Sequence, residues 1–241
     1  MIHPTAVIHD KAHVAKDVKI GPFCHIGEGV SIASGCELQS NVIIRGKISL
    51  AEKVKIFSFT NIGNGSNTIT IGSETVIREF CQIASDEENN APVDIGFSNF
   101  IMAYVNLKAG VTLKERCILT NAVTLNENVN CHDKVIIGGL STIEAGNTIG
   151  TGVMIGGASY VTHDLPPFCL VEGNRASVKG LNLVGLRRRM NNPEAIDEIR
   201  LVFKEIFRSE SVNKQVAQKI ADTHTNEYAV QLAAFVATSN I

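Results

Sequence analysis

Aliphatic side chains recur at every sixth position through most of the chain up to Val161. One run extends from Ile8 to Ile62, a short run covers 71–83, and a third extends from Ile95 to Val161. A period of six matches neither the period of about 3.6 of an α-helix nor the period of 2 of a single strand. It is typical of a parallel β-helix, in which three hexapeptides form one triangular coil and inward side chains stack from coil to coil. The pattern therefore predicts an all-β solenoid over residues 1–163.

Two further places in the repeat carry structural information. The fourth residue after each inward position is small or β-branched, as at Val18 and Val30, which fits the narrow corner of a triangular coil. Glycine often follows the inward residue directly, as at Gly21, Gly63 and Gly138, and we expect these glycines to adopt backbone angles that other residues avoid. The repeat also breaks at 64–67 and again at 86–94.

Beyond Val161 the six-residue pattern stops. Residues 164–180 contain Pro166, Pro167 and two glycines, and this composition predicts a connector. Residues 181–241 carry apolar side chains at helical spacing, and Asn192 followed by Pro193 is a typical helix start. The sequence therefore predicts a helical C-terminal domain that closes the open end of the solenoid.

The six cysteines show no CxxC pairing. Four of them, Cys24, Cys36, Cys81 and Cys117, occupy the fourth place of the repeat, and Cys131 occupies an inward place. We interpret these cysteines as small core residues, and we predict neither a metal site nor a cofactor. The start of the chain shows no charged and apolar leader, and no apolar run approaches the ~20 residues of a membrane span. These features predict a reduced, cytoplasmic chain without a transmembrane segment.

The balance of charges narrows the classes of partner. Lysine and arginine total 22 and aspartate and glutamate total 24, so the formal net charge is −2. Such a chain has no global basic field for nucleic acid or for a membrane surface, and we predict no nucleic-acid partner.

Several segments resemble one enzyme family in the same order along the chain. They are REFCQI at Arg78, NFIMAY at Asn99, IIGGLSTI at Ile136, MIGGAS at Met154, and the block EGNRAS…GLNLVGLRRR that ends at Arg189. They resemble the acyl-[acyl-carrier-protein]:UDP-N-acetylglucosamine O-acyltransferase family, LpxA. The resemblance implies a left-handed β-helix, a homotrimer with active sites between subunits, and transfer of a 3-hydroxyacyl group from acyl carrier protein to UDP-N-acetylglucosamine in lipid A synthesis.

The same resemblance implies that the histidines of the family are replaced here. The two histidines of the family motif HIAHD, the second of which is the base, fall on Asn106 and Ala109. The family segment AGHV, with an oxyanion-hole glycine and a further histidine, becomes Asn126-Glu127-Asn128, and the histidine of HQF becomes Glu144. A sugar hydroxyl is a weak nucleophile and needs a base with a suitable pKa, which alanine cannot provide.

The family match also suggests which residues hold substrate. By position these are Asn106, Asn128, Glu144, Asn182, Arg188 and Arg189. Arginine suits phosphate because it makes charge-assisted, often bidentate hydrogen bonds, although the run from Arg187 to Arg189 also fits the exposed face of a capping helix. Two residues are candidates for a substitute base, Glu127 and His132, and each also fits an ordinary surface or interface position.

Several functions remain open at this point. The favoured hypothesis is a homotrimer of this family that has lost acyl transfer and binds a UDP-sugar, acyl carrier protein or another protein. The alternative is an active O- or N-acyltransferase with a substitute base. An acetyl-CoA-dependent acetyltransferase and a partner subunit in mixed trimers with a family homologue are two further hypotheses.

Overall fold

A computed structural model describes residues 1–64, 66, 68–84, 89–190, 192–207 and 212–241 of the protein. In this part the chain forms a parallel β-helix, as the six-residue period predicts, followed by helices, as the helical spacing of residues 181–241 predicts. The left hand of the β-helix is the one that the family resemblance implies. The breaks of the repeat at 64–67 and 86–94 fall partly outside the described residues.

Most strands are only two residues long because each coil turns after every short strand. The strands are β1 Val7–Ile8, β2 His13–Val14, β3 Lys19–Ile20, β4 His25–Ile26, β5 Ser31–Ile32, β6 Glu37–Leu38, β7 Ile43–Ile44, β8 Lys47–Leu50, β9 Lys55–Ile56, β10 Asn61–Ile62, β11 Thr68–Ile71, β12 Val76–Ile77, β13 Gln82–Ile83, β14 Val93–Ile95, β15 Phe100–Ile101, β16 Asn106–Leu107, β17 Thr112–Leu113, β18 Ile118–Leu119, β19 Thr124–Leu125, β20 Asn130–Cys131, β21 Ile136–Ile137, β22 Thr142–Ile143, β23 Thr148–Ile149, β24 Met154–Ile155, β25 Tyr160–Val161, β26 Cys169–Glu172 and β27 Ser177–Leu181.

Three sheets run along the solenoid, and as far as β25 every third strand belongs to the same sheet. Within the described residues, sheet A runs from β3 to β27 in ten strands, sheet B from β1 to β25 in nine, and sheet C from β2 to β23 in eight. We call the turns between them the A–B corner, as at 102–105, the B–C corner, as at 108–111, and the C–A corner, as at 114–117. The register pairs each inward residue with its equivalent one coil away, as Leu107 with Leu125.

The inward aliphatic residues fill the core. Ile26, Ile44, Ile62 and their equivalents are fully buried, and so are the small residues at the fourth place, such as Val30. All six cysteines are buried and free. Burial raises the pKa of the Cys81 thiol to about 11 and that of Cys117 to about 12. These thiols therefore stay neutral and pack as small apolar groups.

Most of the glycines that directly follow an inward residue do not adopt unusual backbone angles, so that prediction is wrong for them. The left-handed backbone angle occurs at the third residue after the inward position, where non-glycine residues such as Phe80 and Tyr104 adopt it. Gly138, directly after its inward residue, does not have a positive φ, but a Cβ there would lie 2.4 Å from the backbone nitrogen of Gly157. Glycine is needed there because neighbouring coils approach closely, and the six-residue pattern does not distinguish the two reasons.

The segment predicted as a connector contains regular structure. β26 continues sheet A by pairing in parallel with β24, and β27 folds back on β26 in antiparallel orientation. The turn between them passes next to the last strand of sheet B, where Ala176 N–H donates to the carbonyl oxygen of Tyr160 at 2.8 Å. The predicted boundaries at 163 and 180 stay predictions, but residues 164–180 are part of the sheet edge. The two prolines and the glycines dominate the composition and conceal the strands between them.

Helices α1 Leu183–Arg189, α2 Pro193–Ile206, α3 Lys214–Thr223 and α4 Glu227–Thr238 follow the solenoid. Each begins after an asparagine whose side chain accepts a hydrogen bond from the first turn, as Asn192 does from Ala195 N–H at 3.2 Å. Their apolar faces pack on one another and on Phe168, whose ring centroid lies 5.6 Å from that of Tyr228. The helical part thus covers the C-terminal end of the solenoid.

The buried polar residue Asn99 ties three successive coils together through its side chain and its backbone N–H. The amide nitrogen of Asn99 donates to the carbonyl oxygens of Gly96 at 2.8 Å and Lys114 at 2.9 Å. Its amide oxygen accepts from Cys117 N–H at 2.8 Å. The backbone N–H of Asn99 donates to the Thr75 hydroxyl. A buried polar group is tolerated when all its partners are present, and here they are.

Replacing Asn99 should therefore destabilise the solenoid strongly. We expect Asn99→Ala to lower the free energy of unfolding by about 2–4 kcal/mol, because it leaves buried backbone groups without partners. Urea unfolding at one fixed protein concentration measures the effect, and Asn121→Ala, at an exposed corner position, is the matched control. Equal midpoints for the two variants would contradict this account of Asn99.

Candidate functional site

Most of the side chains predicted for the site meet at one corner of the solenoid. Asn106 lies on the outward face of sheet B, and the following turn carries Ala109 into the B–C corner. Glu127 and Asn128 occupy the same corner one coil further on, and Glu144 lies one coil beyond them. The regular stacking of coils brings these residues together although they are up to 38 positions apart.

Ala109, at the position that the resemblance assigns to the family base, is almost completely buried. Only 2% of its surface is exposed. Its carbonyl oxygen accepts a hydrogen bond from Asn128 N–H at 3.0 Å, so the backbone here belongs to the coil-to-coil ladder. The side chain is a methyl group and cannot accept a proton. Its replacement of the family histidine remains a prediction from the resemblance.

Gly110 and Asn128 fit together across the corner. Gly110 has a φ of +75°, and a Cβ at this position would lie 2.1 Å from the amide oxygen of Asn128. Asn128 itself has a φ of 58°, which asparagine tolerates better than most residues. The asparagine amide therefore occupies space that any side chain at position 110 would need.

Two carboxylates and several amides make this corner rich in hydrogen-bond acceptors. Asn126 Nδ2 donates to the carbonyl oxygen of Ile143 at 3.0 Å, and Asn147 Nδ2 donates to that of Glu144 at 3.0 Å. The Tyr160 hydroxyl donates to the Glu144 carboxylate. The sequence reasoning missed Tyr160, although its place 18 residues after Thr142 predicts that it stacks next to that residue in sheet B.

His132 lies elsewhere. It follows β20 at the C–A corner, whereas Ala109 follows β16 at the B–C corner. Its ring is half-buried against the last helix, edge-on to Phe235 at a centroid distance of 6.2 Å, and burial lowers its pKa. The structure therefore brings Glu127, but not His132, to the corner that contains Ala109.

The three C-terminal residues predicted to bind substrate have different surroundings. Asn182 caps helix α1 by accepting from Gly185 N–H at 2.9 Å, and its amide nitrogen donates to the carbonyl oxygen of Gly152 at 3.1 Å. The half-buried Arg189 donates to the Lys134 carbonyl oxygen at 3.2 Å and lies 5.9 Å from the Phe168 ring centroid. Burial lowers the pKa of this guanidinium. Asn182 and Arg189 thus join the helices to the solenoid.

Arg188 is exposed and borders an apolar groove. The groove has a volume of about 480 Å³ and follows the outward face of sheet A. Its lining includes Ile136, Met154, Leu170, Leu183 and Val184. A groove with a cation at its edge suits a ligand with an apolar chain and an anionic or polar end. The six-residue period did not predict this groove, because it identifies inward and not outward side chains.

No group of three or more histidine, cysteine, aspartate or glutamate side chains could hold a metal ion in the part of the chain that the structure describes. None of the described helices is both long enough and apolar enough to cross a membrane.

Comparison with known proteins gives a consistent result over the whole chain. Residues 164–240 match a family model described as UDP N-acetylglucosamine O-acyltransferase, domain 2, and residues 11–46 match the bacterial transferase hexapeptide model. The acyl-[acyl-carrier-protein]–UDP-N-acetylglucosamine O-acyltransferase of Aliarcobacter butzleri is 39% identical, covering 98% of this chain and 94% of the relative. The protein of the same name from Sulfurovum is 37% identical, covering 99% and 95%.

A solved structure supports the same relationship. UDP-N-acetylglucosamine acyltransferase from Campylobacter jejuni superimposes with a TM-score of 0.92 at 31% identity. The match covers 100% of this chain and 97% of that chain. The similarity therefore includes both the solenoid and the helical part.

The contact between Gly110 and Asn128 predicts a non-additive pair of substitutions. We expect Gly110→Ala to lower the free energy of unfolding by about 1–3 kcal/mol, because it forces alanine into a left-handed conformation and against the Asn128 amide. Adding Asn128→Gly removes the clash, so the double variant should recover at least about 0.5 kcal/mol relative to the sum of the single effects. Urea unfolding of the four proteins tests this, and strict additivity would show that the two residues do not touch.

The surroundings of the two arginines predict different roles. Arg189→Ala should lower the free energy of unfolding by about 1–3 kcal/mol, because it removes a half-buried charged donor from the contact between helices and solenoid. Arg188→Ala should change it by less than about 0.5 kcal/mol, because that side chain is exposed. Limited proteolysis followed by mass spectrometry should show earlier release of the helical part in the first variant only. The reverse order would contradict the assignment.

Proposed function

Because the chain belongs to the acyl-[acyl-carrier-protein]–UDP-N-acetylglucosamine O-acyltransferase family, we propose that it binds the substrates of that family without the histidine-dependent transfer. The proposed ligands are a UDP-sugar and the acyl group presented by acyl carrier protein. The proposal places the protein in the cytoplasm, in keeping with its six free thiols.

The observation that carries this proposal is the buried methyl group of Ala109, at the position that the resemblance assigns to the family base. Removing a general base usually reduces the rate by about 10²–10⁴-fold. The carboxylate in the same column, Glu127, belongs to the next coil, about 4.8 Å along the solenoid. The proposal is therefore that the corner keeps the arrangement of the site and lacks its proton acceptor.

The apolar groove and the polar corner are the two surfaces where the proposed ligands would bind. The groove on sheet A suits an acyl chain, and the exposed Arg188 at its edge suits the acidic carrier protein or a phosphate. The B–C corner with Asn128 and Glu144, together with Asn106 on the adjoining sheet B, suits the hydroxyl and amide groups of a sugar. These two surfaces lie on different faces of a single chain.

A trimer would bring the two surfaces together. At the A–B corner the exposed rings of Phe59, Phe80 and Tyr104 stack within 3° of parallel, at centroid distances of 5.1 and 4.9 Å. Between 42% and 60% of each of these residues is exposed. We propose that three copies pack with this aromatic corner towards a common axis, so that sheet A of one copy faces sheet B of the next. A partner that packs along this column needs the same coil spacing, and a second copy has it.

A second candidate function is acyl transfer with a carboxylate as base. It is favoured by the position of Glu127 in the column of Ala109, and by the full-length similarity to relatives that carry the name of the enzyme. A carboxylate can serve as base where its pKa is raised. This candidate predicts that Glu127→Gln abolishes transfer, whereas replacing the remote His132 leaves the transfer step unchanged.

One assay separates the two candidates. Purified protein is incubated with 3-hydroxyacyl carrier proteins of several chain lengths and UDP-N-acetylglucosamine, and the products are measured by mass spectrometry. A family member with the HIAHD motif serves as the positive control. We expect less than about 1% of its turnover, following the usual effect of losing a base, together with measurable binding of UDP-N-acetylglucosamine by calorimetry. Turnover close to that of the control would refute the proposal.

Restoring the histidines provides a stricter test of the retained substrate site. The restored variant combines Asn106→His, Ala109→His, Glu127→Gly, Asn128→His and Glu144→His. We expect at least a tenfold gain in product over the parent protein, because the base would return to an intact binding frame. The same protein without Ala109→His is the matched control. No gain in product would contradict retention of the substrate site.

The proposed assembly can be measured directly. Light scattering after size exclusion should give three times the 26.0 kDa of one chain. Tyr104→Asp should shift the mass towards that of the monomer, because it places a charge in the aromatic column. Tyr104→Phe, which keeps the ring, is the control. A monomeric parent protein would contradict the assembly.

A further inference from the structure

Tyr160 closes the polar row on the outward face of sheet B. Asn106, Thr124, Thr142 and Tyr160 pair in register, one from each coil. The first three side chains are short, and the fourth carries an aromatic ring with a hydroxyl at its tip. The large side chain therefore lies at the C-terminal end of the row, next to the B–C corner.

Both backbone groups of Tyr160, the N–H and the carbonyl, are hydrogen-bonded. Its N–H donates to the carbonyl oxygen of Gly173 at 3.0 Å, and its carbonyl oxygen accepts from Ala176 N–H at 2.8 Å. The turn between β26 and β27 thus holds the tyrosine from the side away from Thr142. The position of the backbone from which the phenol extends is therefore fixed.

The phenol points back towards the previous coil, where its hydroxyl donates to the Glu144 carboxylate. This hydrogen bond is the main reason that the pKa of Tyr160 is raised, and the neutral phenol is the donor in it. The backbone of Glu144 is also held, since its N–H donates to the Val161 carbonyl oxygen at 2.9 Å and its carbonyl oxygen accepts from Asn147 Nδ2. Tyrosine, glutamate and the two coils form one connected unit.

A carboxylate can accept several hydrogen bonds and, when ionised, can donate none. Tyr160 satisfies part of that capacity and restricts the rotation of the Glu144 side chain. The carboxylate of the partly exposed Glu144 therefore keeps further acceptor capacity on the outer surface of the B–C corner, one coil beyond Asn126. A ligand group that offers an O–H or N–H at this place would fill the remaining acceptor capacity of the Glu144 carboxylate.

We propose that Tyr160 is a positioning residue that directs the Glu144 carboxylate towards a hydroxyl or amide N–H on the sugar of the bound nucleotide. The inference deepens the proposed function and rests on it. It assigns the sugar to the C-terminal end of the polar row, next to Tyr160. Recognition of the sugar then requires a hydrogen-bond donor on it. The nucleotide itself does not depend on this pair.

The test compares two probes, UDP-N-acetylglucosamine and UDP, by isothermal titration calorimetry on the full chain. For the sugar nucleotide we expect Glu144→Gln to weaken binding about tenfold and Tyr160→Phe about three- to tenfold, as for the loss of a charge-assisted hydrogen bond or of its support. The double variant should be no weaker than Glu144→Gln alone, because Tyr160 acts through Glu144. Binding of UDP, which lacks the sugar, should stay within about twofold in all variants.

Two matched controls make the same chemical changes elsewhere, Tyr104→Phe at the A–B corner and Glu115→Gln at the C–A corner, and neither should affect the sugar nucleotide. Equal weakening of UDP and the sugar nucleotide would show a merely structural role and overturn the inference. Unchanged binding of the sugar nucleotide in Tyr160→Phe and Glu144→Gln would also overturn it, with the proposed function intact. Failure of the parent protein to bind UDP-N-acetylglucosamine would overturn both.

Discussion

The in-register stacking of successive coils is the constraint on which the rest of the structure depends. Each coil hydrogen-bonds to the next through its strands, and its inward aliphatic residues rest on their equivalents, as Leu107 does on Leu125. Because both contacts repeat with the same period, a residue's position in the repeat determines its sheet or corner. The backbone ladder and the apolar core carry this order, and the outward side chains are free to differ.

Because the backbone ladder and the apolar core determine the fold, the outward side chains of a site can change without loss of the fold. At Ala109 the backbone accepts a coil-to-coil hydrogen bond whatever the side chain is, and the methyl group lies against the corner. Gly110 and Asn128 show that outward residues of adjacent coils still adapt to each other. The proposed replacement of a base by a methyl group, and of a histidine by a carboxylate, needs no change in the geometry of the solenoid beneath.

The repeat allowed much of the fold to be predicted, since a six-residue period has one structural explanation and the burial of residues such as Ile44 follows from it. It also put Ala109 and Glu127 in one column. The six-residue period could not show the hydrogen-bond partner of an outward side chain. The hydrogen bonds from Tyr160 to Glu144 and from Arg189 to the Lys134 carbonyl oxygen were therefore missed. Those contacts depend on side-chain rotation and on where the helices rest, and neither is periodic. The strands between Leu165 and Leu181 were hidden for a similar reason, because proline and glycine dominate the local composition.

The distribution of tyrosines has a spectroscopic consequence. The chain has no tryptophan and three tyrosines, so its intrinsic ultraviolet fluorescence comes from Tyr104, Tyr160 and Tyr228. One belongs to the aromatic column at the A–B corner, one to the polar row of sheet B, and one to the contact of the last helix with Phe168. Emission from single-tyrosine variants would therefore follow assembly, ligand occupancy and helix docking as three separate signals, without any attached dye.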